Sequence, residues 1–124
     1  MEILVSGGMV GQCASGESIP VDALSIRARQ IMNLLPVRLQ RCAPVVIHNV
    51  DENYTGIRFT TKRGFVVLEM SAGDRPYRLV QQFDEPDELG RMEVELRQIP
   101  KIYKPHGVAF IVSEFLLSRG FLSA

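Results

Sequence analysis

The stretch VVIHNVDENYTGIRFTTKRGFVVLEMSAGDRPYRLVQQF, residues Val45 to Phe83, decides the fold of this chain. Its β-branched and aromatic runs are separated by short segments of turn-forming residues, DENYTG, RG and AGDRP. Strand-like runs on such short connections are typical of antiparallel strands that follow one another in a sheet. The stretch therefore predicts a four-stranded antiparallel β-meander.

Two of the turns also predict how the strands pair. If Arg63-Gly64 is a two-residue turn, in which glycine supplies the positive φ, the paired residues are Thr61 with Val66, Phe59 with Leu68 and Ile57 with Met70. If Gly73-Asp74 closes the next hairpin, the paired residues are Met70 with Tyr77 and Leu68 with Leu79. Both registers place these residues on one face of the sheet, which we expect to form the core.

The opposite face of the meander is predicted to carry Arg58, Glu69 and Arg78 side by side. Exposed cross-strand pairs of opposite charge each contribute roughly 0.2–1 kcal/mol, and we expect this row to be structural and solvated. The alternative is that Arg58 and Arg78 bind the carboxylate or phosphate of a ligand. Glu69 argues against that alternative because it already neutralises the two arginines.

One helix is predicted before the meander in the chain and one after it. Pro20 suits the first turn of a helix from Pro20 to Leu35, Pro36 ends it, and Arg27 should face water. Apolar residues at helical spacing should pack this helix on the sheet; they are Leu24, Ala28, Ile31 and Leu35. The second helix, Val108 to Arg119, is apolar around most of its circumference, which is more than one sheet face needs.

The segment between the meander and Pro100 has two interpretations. Acidic residues around Pro86 fit the start of a helix whose apolar residues would be Leu89, Met92, Leu96 and Ile99. The alternating run from Met92 to Leu96 fits a fifth strand instead. The residues alone leave open whether 87–99 is a helix or a strand.

Together these elements predict a single α+β domain over residues 1–124. Its two layers hold the N-terminal helix, the antiparallel meander and the apolar C-terminal helix. Residues 1–19 are a Gly- and Ser-rich segment, predicted to be loop apart from a short strand at Glu2 to Val5. With 46% hydrophobic and 23% charged residues, a chain of 124 residues can bury an ordinary globular core.

Composition and charge disfavour several function classes. Fourteen basic and fourteen acidic residues cancel, so the chain lacks the long-range attraction of a typical nucleic-acid binder, and at most weak binding is expected. We expect a cytoplasmic protein without membrane attachment, because no apolar run is long enough to span a bilayer and no signal-peptide pattern begins the chain. The acidic residues of segment 84–88 have no His or Cys neighbours and lack calcium-loop spacing, so we expect no metal and no cofactor.

A cysteine-dependent hydrolase is the catalytic alternative. Cys13 lies in the N-terminal loop and His48 lies on the first strand of the meander. Catalysis would need a thiolate, activated by the imidazole and commonly by a helix N-terminus. Nothing but chain order links the two residues, so we expect Cys13 to react as an ordinary thiol and assign no catalytic residue.

By exclusion, the sequence favours a non-catalytic binding or protein-interaction domain. The apolar C-terminal helix offers a surface formed by Phe110, Phe115, Leu117 and Phe121, and a homodimer through this helix is the simplest expectation. A protein partner, or a small apolar ligand in a pocket between the helices and the sheet, is also compatible with this class.

Overall fold

A computed structural model describes residues 2–4 and 21–120 of the chain. The elements in chain order are β1 (Glu2–Leu4), α1 (Val21–Asn33), a 3₁₀ helix (Val37–Cys42), β2 (Val45–Asn49), β3 (Tyr54–Thr61), β4 (Gly64–Met70), β5 (Tyr77–Phe83), β6 (Glu93–Ile99) and α2 (Pro105–Ser118). In these described residues six strands form one antiparallel sheet in the order β1-β2-β3-β4-β5-β6, accompanied by two α-helices and the 3₁₀ helix. The predicted α+β class and antiparallel meander are confirmed.

The core lies between the two helices and one face of the sheet, called here the inner face. Period-2 alternation along the strands brings their apolar residues to this face. The fully buried members from the strands are Ile57, Phe59, Val66, Leu68, Met70, Leu79 and Ile99. From α1, Ala28 and Ile31 join the same cluster, as the helical spacing predicts. All of these residues belong to one continuous core.

Helix α1 begins and ends within the predicted range. Leu34 and Leu35 continue it only as a turn, in which Leu34 N–H donates to the Ile31 carbonyl at 3.0 Å. The prediction that Arg27 faces water is wrong. Its guanidinium donates to the Tyr103 carbonyl and lies 5.8 Å from the centroid of the Tyr77 ring. Long arginine side chains commonly cover apolar surface in this way, so helical position alone did not determine its surroundings.

The β3–β4 register differs from the prediction by two residues. Thr61 pairs with Gly64, so Lys62 and Arg63 form the turn, and Phe59 pairs with Val66 rather than with Leu68. Gly64 has φ +131°, and a Cβ there would lie 2.1 Å from the Gln82 carbonyl oxygen of β5. Because the slip is even, every apolar residue stays on its predicted face. The next hairpin pairs Leu68 with Leu79, as predicted.

Residues 93–99 form a strand, not a helix. In the preceding segment the Asp87 carboxylate accepts the backbone N–H groups of Leu89 and Arg91 at 2.9 and 2.7 Å. The bond from Arg91 is the main reason why the pKa of Asp87 is lowered. Gly90 then turns the chain with φ +79°. These side-chain hydrogen bonds replace the backbone hydrogen bonds that a helix would make. The turn brings β6 alongside β5.

Most of the apolar circumference of α2 is covered by the protein itself. The helix packs beside α1 as well as over the sheet, so two of its sides are buried. Val108, Val112 and Leu116 are fully buried, whereas Phe110 is 66% exposed. None of the helices in the described part of the chain is long and apolar enough to span a bilayer.

Candidate functional site

The face of the sheet opposite the helices, called here the outer face, holds a cavity of about 510 Å³. It extends from the β2–β3 turn across β4 and β5 to β6. Its lining consists of Glu52, Tyr54, Glu69, Ser71, Arg75, Pro76, Arg78, Glu93, Glu95 and Gln98. The lining is polar and carries four carboxyl groups but only two guanidinium groups.

Glu69 is the most enclosed charged group of the cavity. It lies on β4, paired in register with Gly56 on one side and Arg78 on the other. Only 11% of its side chain is exposed. Burial raises the pKa of Glu69 to about 7; the Arg78 charge opposes this shift, while the Glu93, Glu52 and Glu95 charges reinforce it. This carboxyl therefore titrates near neutral pH.

Arg78 lies at the centre of the charged part of the cavity. Its Nε is 3.4 Å from Glu69 Oε1 and 3.2 Å from Glu95 Oε1, and one terminal nitrogen is 3.8 Å from Glu93 Oε2. These are ion-pair distances, but the Nε contacts lack hydrogen-bond geometry. Arg78 is thus shared among three carboxylates without satisfying any one of them fully.

The two carboxylate oxygens of Glu69 differ, since Oε1 lies near Arg78 and Oε2 does not form an ion pair with it. Among the residues that the structure describes, Glu69 Oε2 is buried and has no hydrogen-bond partner. An unpartnered buried carboxylate oxygen costs free energy because water has been removed and nothing has replaced it. A donor supplied by a ligand would remove that cost.

Gly56 creates room for the aromatic wall of the cavity. A Cβ at this position would lie 2.6 Å from the Leu68 carbonyl oxygen, 3.2 Å from Val67 Cγ1 and 3.3 Å from Tyr54 Cε1. The missing side chain lets the Tyr54 ring lie over β3. Tyr54 is 5% exposed and also packs with Ile47 and Val67 in a small apolar cluster on the outer face. It joins the apolar and charged halves of this face.

The loop that carries Ser71 and Arg75 is tied to the segment after β6. Lys101 Nζ donates to the carbonyl oxygens of Ser71, at 2.5 Å, and of Gly73. Partial burial lowers the pKa of Lys101. The contact holds the β4–β5 connection in place at one end of the cavity.

The predicted Arg58-Glu69-Arg78 row is only half present. Glu69 and Arg78 are neighbours on the predicted face, but Arg58 pairs with Val67 and its guanidinium lies 4.5 Å from the centroid of the Phe65 ring. The two-residue register slip separates it from Glu69. Glu69 is also buried rather than solvated, since only 11% of its side chain is exposed. The structure does not bring Arg58 and Arg78 together as a paired anion site.

His48 lies at the inner face between two hydroxyl groups. Its Nδ1 is 2.8 Å from Thr55 Oγ1, and its Nε2 is 3.4 Å from Ser25 Oγ. Thr55 and Ser25 are both buried, so this arrangement gives a substrate no visible access to Ser25. Cys13 lies outside the described residues, so the prediction that it is an ordinary thiol, and the alternative that it pairs with His48, both stay untested.

The residues of the predicted interaction surface on α2 differ in their burial. Phe115 is buried, with the Arg119 guanidinium 4.9 Å from its ring centroid, and Leu117 is partly buried against the core. Phe110 is exposed and available to a partner. Phe121 lies outside the described residues.

Sequence reasoning identified Glu69 and Arg78 but missed most of the cavity. Glu93 and Glu95 alternate on β6, which the strand interpretation of that run would have placed on one face. No short turn sets the β6 register, so nothing local indicated that these carboxylates lie beside Arg78.

Among the described residues, no group of three or more His, Cys, Asp or Glu is arranged to hold a metal ion. Comparisons of the chain with protein-family models, with curated proteins and with solved structures found no match.

Proposed function

We propose that this protein is a non-catalytic binding domain that takes a cationic group, an ammonium or a guanidinium, into the outer-face cavity beside Glu69. The observation that carries the proposal is the buried Glu69 Oε2, which has no hydrogen-bond partner among the described residues. Around it, carboxylates outnumber guanidinium groups by four to two. The cavity thus combines an unused acceptor with an excess of negative charge.

A cation satisfies this site better than an anion does. An ammonium or guanidinium group would donate to Glu69 and keep the carboxylate ionised, in the place of a proton. The Tyr54 ring adds an aromatic wall of the kind that attracts cations. Arg78 is held by Glu69, Glu93 and Glu95, so an incoming anion would have to compete with three carboxylates.

The same features argue against the other function classes. An acidic cavity repels the phosphates of a nucleic acid. The cavity lining contains no His or Cys that could activate a nucleophile. The predicted pocket between helices and sheet stays a prediction, since the cavity described here lies on the other side of the sheet.

An NMR titration of backbone amides with methylguanidinium and methylammonium chloride tests the proposal. We expect saturable shift changes at residues around the cavity, stronger at pH 8 than at pH 6 because the ligand competes with the proton on Glu69. Glu69→Gln should remove the response, whereas Glu88→Gln, a matched change at an exposed residue outside the cavity lining, should preserve it. Saturable binding of acetate or phosphate at the same amides, with none of either cation, would contradict the proposal and favour an anion site at Arg78.

A further inference from the structure

Strand β6 lies at one edge of the sheet. In the part of the chain that the structure describes, it pairs with β5 alone and is the last strand in the strand order. An unpaired edge presents a row of backbone N–H and C=O groups that can accept another strand. Glu93, Glu95 and Gln98 of this strand also line the outer-face cavity.

The hydrogen-bond pattern shows which backbone groups face the open edge. Phe83 N–H donates to the Met92 carbonyl at 2.9 Å, and hydrogen-bonded pairs alternate with non-bonded pairs along an antiparallel ladder. Gln82 with Glu93 and Val80 with Glu95 are therefore non-bonded pairs. Glu93 and Glu95 direct their backbone N–H and C=O groups away from β5. The same two residues thus offer backbone groups at the edge and carboxylates on the outer face.

Large apolar side chains are exposed at both ends of this edge. Leu89 and Met92 precede β6 and are 76% and 49% exposed, and Ile102 and Tyr103 follow it and are 87% and 43% exposed. Clustered exposed apolar residues mark interaction surfaces more often than isolated ones do. An extended segment along β6 would reach both groups.

We infer that the β6 edge docks an extended segment of a partner protein that carries Lys or Arg at two alternating positions, adds to the sheet as an antiparallel strand and places its cations beside Glu93 and Glu95. The inference rests on the proposed function because both need the excess of carboxylates on the outer face, but here the cations meet Glu93 and Glu95 at the sheet edge rather than Glu69 two strands away. Alternating residues of an added strand share one face, so two basic side chains would lie opposite the two carboxylates. Main-chain hydrogen bonds would supply affinity and the cavity would supply specificity.

A second copy of the chain fits this edge less well. Antiparallel pairing of two β6 strands about a two-fold axis centred on residue 94 would place Glu93 of each copy opposite Glu95 of the other. Like charges directly opposite each other destabilise a sheet. Arg97 cannot compensate on the outer face, because it is in register with Leu79, which belongs to the core face.

The test uses the full chain and the acetylated, amidated peptide Leu-Thr-Lys-Thr-Lys-Thr-Leu, with binding measured by calorimetry. N-methylation of the two lysine amides removes the donors that would face β6 and should weaken binding by about tenfold or more. N-methylation of the second and third threonine amides, which would face solvent, is the matched control and should change binding by less than about threefold. Replacing both lysines by glutamates should abolish binding.

The outcomes separate this inference from the proposed function. If methylguanidinium binds at Glu69 but the peptide does not bind, or the two N-methylated peptides bind equally, strand addition is wrong and the cation site stands. If neither peptide nor small cation binds, both proposals are wrong. If the protein self-associates through β6, as shown by peptide binding that competes with dimerisation in sedimentation, a second copy is the occupant and the inference is overturned.

Discussion

Glu69 is the residue at which burial and charge oppose each other most directly. Its side chain is 11% exposed, yet it lies among three other carboxyl groups and is paired with an arginine that it shares. Desolvation outweighs the attraction of Arg78, and the pKa rises to about 7. The charged form of Glu69 is therefore a source of instability in the protein without a ligand.

The pH dependence of stability follows from this shift. The folded-state pKa of Glu69, about 7, lies above the ordinary value of 4.5, so the folded protein holds the proton more tightly than the unfolded chain. The corresponding stabilisation is complete below about pH 4.5 and is lost as the pH rises through 7. Glu69→Gln cannot titrate, and it should be more stable than the original protein at pH 8 by on the order of 1–3 kcal/mol, with little difference at pH 4.

Urea denaturation at several pH values measures this difference. Arg78 keeps Glu93 and Glu95 as ion-pair partners in the variant, which limits the cost of removing the Glu69 charge. Glu93→Gln is the control, since its half-exposed side chain should give no comparable pH-dependent gain. A difference between Glu69→Gln and the original protein that is flat from pH 4 to pH 8 would show that the Glu69 pKa is not raised.

Among the elements, α2 shows that an apolar helix can be covered within one chain when it packs on another helix as well as on the sheet. Apolar residues on most of its circumference predict an interaction surface if the helix touches only the sheet. Here α2 also packs on α1, and Val108, Val112 and Leu116 are completely buried in the core that the helices share with the sheet. The predicted homodimer through this helix stays a prediction, and Phe110 is the residue on which it now depends.

Phe110→Glu tests that dimer. Because Phe110 is 66% exposed, the substitution should leave the free energy of unfolding of the monomer within about 0.5 kcal/mol. If α2 forms the dimer, sedimentation at micromolar concentration should show a dimer for the original protein and a monomer for the variant. Leu116→Ala is the contrasting change, since it should cost about 2–5 kcal/mol through loss of core packing. If the original protein sediments as a monomer, the predicted dimer through α2 is wrong.

At the scale of the whole molecule, both helices cover the same face of the sheet. The central strands β3, β4 and β5 have neighbours on both sides, whereas β6 has one described neighbour. The outer face gains its enclosure from its own side chains, with Tyr54, Ile47 and Val67 at one end and the charged cavity at the other. This asymmetry leaves room for a cavity on the outer face that does not interrupt the core.

Amide hydrogen exchange should report the asymmetry directly. Protection should be greatest in β3, β4 and β5, because their amides exchange only through opening of the sheet. Along β6 it should alternate: the Val94 amide, bonded to β5, should be protected, while those of Glu93 and Glu95 should exchange rapidly. Exchange followed by NMR measures this pattern, and strong protection at Glu93 and Glu95 in the free protein would show that the edge is already covered.

Local sequence patterns determined the class of fold and most of its elements. Alternation in β3 to β5 specified the faces of their residues, because side-chain direction has a period of two and survives an even slip in register. Gly73 and Asp74 specified the β4–β5 pairing through a short turn. Pro20 and Pro36 set the range within which α1 was predicted, and the helix lies inside that range. These are interactions between residues close in sequence, which a linear pattern can show.

Only the tertiary structure decided the β3–β4 register and the candidate site. Gly64 lies so close to a third strand that a Cβ there would be 2.1 Å from the Gln82 carbonyl oxygen, a contact that no hairpin rule includes. Glu93 and Glu95 reach Arg78 because β6 pairs with β5 after a turn built by Asp87 and Gly90. The burial of Glu69, which places a carboxyl predicted to be solvated in the wall of a cavity, likewise depends on residues far away in the sequence. Desolvation depends on everything that surrounds a group in space, and a sequence pattern carries that information only for near neighbours.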